Sequence, residues 1–140
     1  MLTLKEARAA IERGVAKAQA LNFKVAVAVV DAAGHLVACD RMDGALWITP
    51  EIARAKANAA AAFQATTQNL EERFTGARAL FAGNVASLGD YRLVFGRGGV
   101  PIVAGDRIVG AVGVSGAVPP DNDHLIADAA AGHPLVPKSH

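Results

Sequence analysis

At 140 residues the chain is long enough for one domain with a substantial hydrophobic core. Apolar residues make up 52% of it, but the aromatics are only five Phe, one Trp and one Tyr, so the core must be built from Ala, Val, Leu and Ile. A net charge of +1 gives no electrostatic drive toward nucleic acid or an anionic membrane, and the single cysteine, Cys39, excludes an internal disulfide and fits a reducing compartment.

Thr3 and Glu6 have the spacing of a capping box and open the first helix, where Leu4, Ala7, Ile11, Val15 and Ala18 recur at helical intervals. This charged amphipathic start differs from a signal-peptide apolar run, and every apolar stretch is interrupted by charge or glycine. The expectation is a soluble, cytoplasmic protein. The helix should end near Leu21-Asn22. Residues 24–30, nearly all Val and Ala, read as a strand covered on both faces. Ala32-Ala33-Gly34-His35 turns the chain, and 36–43 return as a partner strand.

Thr49-Pro50-Glu51 reads as a helix start, with a capping hydroxyl, a proline at the first helical position and an acid in the first turn. That helix should run to about Thr66 through an alanine-rich body at 57–62, which allows very close packing. Two short helical pieces, 70–74 and 77–86, are split by Gly76, and 91–95 read as a short strand entering the Gly96-Arg97-Gly98-Gly99 loop.

Next comes a β-hairpin, with Gly105-Asp106 as a two-residue turn of the II′ kind between Ile102-Val103 and Ile108-Val109. On its second strand Ile108, Gly110, Val112 and Val114 point one way, while Val109, Ala111, Gly113 and Ser115 point the other. Glycine inside a strand marks the close approach of a ligand or another backbone. The second face is therefore a pocket floor or the seat of a tightly docked helix. Pro119-Pro120-Asp121-Asn122 starts a last helix over 123–131. The fold class is α+β: two antiparallel hairpins with helices on both sides of the sheet, in one domain over 1–131, followed by a tail over 132–140.

Arg41 and Asp43, two apart at a strand end, share a face as a self-paired ion pair or as a pocket rim where Arg41 could grip a carboxylate. Lys56 sits on or beside the apolar stripe of its helix, either snorkelling to water or facing a ligand as a partly desolvated cation. Ser115 lacks a nucleophile-elbow setting, which argues against a serine hydrolase. Of the four histidines, His35 lies in a turn, where an exposed residue is the plain reading, and His124 lies in a helix's first turn, solvated or a metal or haem ligand; with no His-x-x-x-His pair and no second cysteine, no structural zinc site is read. The Gly96–Gly99 segment matches neither the phosphate-loop nor the dinucleotide pattern.

Five motifs in order, covering nearly the whole chain, resemble the GlcG/HbpS family, which includes the C-terminal domain of PduO-type proteins. They are Val29-Val30-Asp31-Ala32-Ala33-Gly34-His35-Leu36, Arg41-Met42-Asp43-Gly44-Ala45, Ile52-Ala53 with Lys56-Ala57, Gly98-Gly99-Val100-Pro101-Ile102, and Gly110-Ala111-Val112-Gly113-Val114-Ser115-Gly116. The resemblance implies a profilin-like α-β-α sandwich assembled into homo-oligomers, often octamers. It also implies a family in which some members bind haem and others sit in catabolic operons. The family's polar positions fall on Asp31, Arg41, Asp43, Lys56, Ser115 and Asp123. Where many relatives read Ser-Gly-Gly-Thr-Pro-Glu-Gln-Asp, this chain has a loop one residue longer that carries Pro119 and Pro120.

Two functional readings follow. The first is a binder of haem or another small molecule, with Arg41, Asp31, Gly99, Pro101, Gly113, Ser115 and His35 as the ligand-binding set. The second is a cofactor-independent isomerase, lyase or hydratase acting on a small carboxylate, with Arg41 as its anchor and Lys56 with Asp123 or Asp43 as the acid–base pair. Haem is the one cofactor the resemblance brings in. A structural subunit with a vestigial pocket is the third possibility.

Overall fold

The structure, a computed structural model, describes residues 1–132. Of the expected tail only Gly132 is described; His133 and His140 lie outside. The elements in chain order are α1 (Leu4–Ala20), β1 (Ala26–Asp31), β2 (Leu36–Arg41), α2 (Thr49–Phe63) and α3 (Thr67–Arg73). A 3-10 turn (Gly76–Arg78) follows, then α4 (Ala79–Ala86), β3 (Gly99–Ala104), β4 (Arg107–Ser115) and α5 (Asp121–Ala131).

The strands make one antiparallel sheet in the order β2-β1-β4-β3, which sets the two hairpins side by side with the most buried strands, β1 and β4, central. Val27, Val29, Val100, Ile102, Val112 and Val114 face α1 and α5 and form the main core. Ala26, Ala28, Val30 and Ala111 face α2 through Ala53, Ala57, Ala60 and Ala61. The sandwich with helices on both faces is thus observed. Among the described residues, no helix is long and apolar enough to cross a membrane.

The thin face of β4 is the seat of a helix. A Cβ on Gly113 would run into the Ala53 carbonyl and the Ala57 amide, and one on Gly99 would run into the Lys56 carbonyl. Backbone of α2 therefore fills the space over Ala111 and Gly113 that could have held a pocket. The capping box is present, with the Glu6 N–H donating to Thr3 Oγ1 at 3.1 Å and the Thr3 N–H to Glu6 Oε1 at 2.9 Å.

Four local expectations need correction. Thr49 is inside the first turn of α2, not its cap; its hydroxyl donates back to the Leu46 carbonyl at 2.7 Å, and Ile48 takes the cap position. The helix stops at Phe63, short of Thr66, because Gln64 turns left-handed at φ 53°. Residues 91–95 form no strand: Leu93 and Phe95 are drawn into an aromatic cluster with Phe63 and Phe74, packed edge to face, and the Val94 N–H donates to the Ala55 carbonyl at 3.3 Å. Val109 packs toward α1 and α5 instead of sharing the Ala111 face, because the β3–β4 register shifts between Ile102 and Val103 and re-aims it.

Candidate functional site

Lys56 does not snorkel to water and lines neither of the two clefts described below. Its Nζ donates to the Val114 carbonyl at 3.0 Å and to Asp123 Oδ2 at 3.1 Å, with the two side chains only 7% and 6% exposed. Asp123 Oδ1 accepts the Ala117 N–H at 2.9 Å. Gly98 makes room for the pair: at φ +130°, a Cβ there would lie 2.6 Å from the Val114 oxygen and 3.0 Å from Asp123 Cβ. Burial pushes the Asp123 carboxyl above the usual aspartate range, opposed by the Lys56 charge and the Ala117 hydrogen bond. The arrangement ties α2, β4 and α5 together.

Arg41 and Asp43 lie elsewhere. Arg41 ends β2, the outer strand, and its guanidinium donates to the Ala45 carbonyl at 2.8 Å, not to Asp43, which is exposed beyond the strand end. With Lys24, Cys39 and Asp40 they line a shallow groove of about 480 Å³. Burial, and then the charge of Asp40, push the Cys39 thiol up, opposed by the charge of Arg54. Ala26 pairs with both Arg41 and Ser115, which sets those two about 10 Å apart across β1. Ser115 is buried, as is Gly99, whose N–H donates to Thr67 Oγ1 at 2.7 Å. Pro101, half-buried on the other outer strand, pairs with Ala111. The structure thus joins Lys56 to Asp123 and leaves Arg41 and Asp43 in a separate groove.

His35 lines a different cleft, also of about 480 Å³, between the β1–β2 turn, α2 and residues 90–93. Ala33, Ala62 and Leu93 supply apolar lining, while Arg54, Asn58, Tyr91 and Arg92 supply polar groups and Asp90 one carboxylate. The Asn58 amide donates to the Arg92 carbonyl at 3.3 Å and holds the 90–93 wall against α2. Arg54 Nε and Asn58 Oδ1 are buried without a hydrogen-bond partner, and such atoms call for one. Asp31 Oδ1 accepts the Ala33 and His35 N–H groups at 2.9 Å each and locks the turn. His124 is half-buried in α5 with Nδ1 unpartnered. Among the described residues, no three His, Cys, Asp or Glu side chains could hold a metal ion by themselves.

Arg54, Asn58, Tyr91 and Arg92 escaped the sequence reading. A signal existed for two of them: Arg54 and Asn58 stand at i and i+4 in an otherwise alanine-rich helix, and so share a face. Nothing local marked Tyr91 or Arg92, because their place depends on a segment laid against α2.

The family model described as haem degrading protein HbpS-like matches residues 2–132. Protein GlcG of Escherichia coli (strain K12) is 39% identical over 117 residues, covering 82% of this chain and 81% of GlcG. The crystal structure of HbpS superposes with a TM-score of 0.83 at 33% identity, over 94% of this chain and 91% of that one. A crystal structure of a PduOC:haem complex gives 0.82 at 26% identity, over 93% and 92%. With the family's sequence pattern matched from Leu2 to Gly132 and a fold that superposes on HbpS over nearly its whole length, the chain belongs to the HbpS-like family.

Proposed function

We propose that this protein binds haem in the His35 cleft, with His35 as the iron ligand and Arg54 and Arg92 receiving the propionates. The observation that carries this reading is one cleft in which Ala33, Ala62 and Leu93 line part of the wall and an imidazole and two guanidinium groups gather, with Asp90 the one carboxylate among them. Haem asks for those features: an apolar bed for the macrocycle, cations for two carboxylates and a nitrogen for the iron. The volume, about 480 Å³, lies in the range of small-molecule sites. The unpartnered Arg54 Nε and Asn58 Oδ1 add buried polar capacity to one wall. The haem complex of PduOC and the description of the family support the same choice. When bound, haem supplies an iron centre capable of one-electron chemistry; the chain contributes the seat, the ligand and the charge.

The enzymatic alternative is less well supported. Its acid–base pair, Lys56 and Asp123, is buried in contact with itself and with main chain, and neither residue lines a cleft described above.

A hemin titration followed at the Soret band tests the proposal. The expected result is a saturable one-to-one complex that His35→Ala abolishes and His124→Ala retains, with Arg54→Ala and Arg92→Ala each weakening it. Hemin at a hundred times its dissociation constant should stabilise the fold by about 2.7 kcal/mol. A Soret response unchanged in His35→Ala would overturn the assignment.

A further inference from the structure

We propose that Asp31 is a positioning residue for His35: its carboxylate selects the Nδ1–H tautomer and leaves Nε2 as the nitrogen offered to the cleft. The inference rests on the haem reading above and goes beyond it, since it names the group that makes His35 a competent ligand.

The geometry starts with the turn. The Asp31 N–H donates to the His35 carbonyl at 2.9 Å, and the Asp31 carbonyl accepts the Gly34 N–H at 3.0 Å. Its Oδ1 accepts two further backbone N–H groups, from Ala33 and His35. Four hydrogen bonds therefore fix the residue, and its second oxygen, Oδ2, is held 3.5 Å from His35 Nδ1. The imidazole is the more exposed partner, 81% against 38% for Asp31. Rotation about its side-chain torsions need close the gap by only roughly half an ångström to reach hydrogen-bonding length.

A neutral imidazole carries one N–H, and iron must take the other nitrogen. A carboxylate at Nδ1 decides which nitrogen that is, and it makes the ligating nitrogen more electron-rich. The remaining charged groups of the cleft, Arg54, Arg92 and Asp90, come from α2 and the 90–93 wall and not from this turn. Asp31 is thus the carboxylate built into the same turn as the histidine. A residue serving only the turn would need Oδ1 alone.

Asp31→Asn separates the two roles. An asparagine oxygen can still accept from Ala33 and His35, but the second position becomes an NH₂ donor facing Nδ1. In haem-free protein, nitrogen-15 NMR of His35 should show the Nδ1–H tautomer in the wild type and a shift to Nε2–H in Asp31→Asn. Hemin affinity should fall about 10–100-fold. The midpoint potential of the remaining complex should move to more positive values as the ligand donates less charge.

A wild-type His35 that is mainly Nε2–H overturns the proposal without any variant. So does an Asp31→Asn protein with unchanged tautomer, affinity and potential, and in that case the haem reading stands. Loss of the haem reading shows differently, as a Soret response insensitive to His35→Ala; the tautomer in haem-free protein then still decides whether Asp31 sets the orientation of His35.

Discussion

Lys56 Nζ lies 3.1 Å from Asp123 Oδ2, and this contact pins α2 to the first turn of α5 across the end of β4. Asp123 also sits at the positive end of that helix, where a carboxylate is favoured. Removing one partner strands a buried charge, so Lys56→Met should cost about 3–5 kcal/mol in urea unfolding. Combining Lys56→Met with Asp123→Asn should cost clearly less than the sum of the single changes. Additive losses would show that the two side chains are not coupled.

Two glycines should respond in opposite directions. Gly113→Ala drives a methyl into the Ala53 carbonyl beneath α2 and should lower stability by about 1–3 kcal/mol or more. Gly83 lies inside α4 with nothing within 4 Å of a built Cβ, so Gly83→Ala should raise stability by about 0.5–1 kcal/mol. Thermal unfolding of the pair checks how closely α2 is seated.

Two carboxyls give the pH profile opposing slopes. Hydrogen bonds from the Thr3 N–H and then the Thr3 hydroxyl hold Glu6 below its ordinary 4.5, so its contribution is present above pH 4.5 and is lost as pH falls through the lower folded value. Asp123 is raised above 3.8 by burial, so the folded state binds its proton more tightly than the unfolded chain does. Its titration therefore lowers stability as pH rises from 3.8 through the raised value. Glu6→Gln keeps the cap geometry and should flatten the acid side of the curve. Asp123→Asn should remove the opposing slope. Urea unfolding between pH 3 and 7 reads both.

Self-association is expected through α4, none of whose residues is buried and which, with the segment that follows it, exposes Leu80, Phe81, Leu88 and Tyr91. Light scattering at micromolar concentration should give a mass well above 14.3 kDa. Leu80→Glu with Phe81→Glu should reduce it. A monomer across a dilution series would refute the expectation.

Signals that act over a few residues were legible in the chain. The Thr3/Glu6 box, the two hairpins and the facing of Val112 and Val114 away from Ala111 all follow from spacing, since capping and strand alternation are short-range physics. The thinness of the Gly113 face also showed. Whether a ligand or a helix occupied it did not, because that depends on the matching volume of α2, whose backbone meets it from some sixty residues away. Lys56 stood out as a charge beside an apolar stripe, and Asp123 came in only through the family resemblance; only the folded chain showed them bonded to each other and buried. The His35 cleft is furthest from sequence. Its second wall is the 90–93 segment, held against α2 by a hydrogen bond from Asn58 to Arg92, 34 residues apart, and no local propensity records that such distant segments will meet. Local hydrogen bonding and side-chain periodicity set the elements; the packing of low-volume surfaces decided which polar groups were sealed inside and which were left facing a cleft.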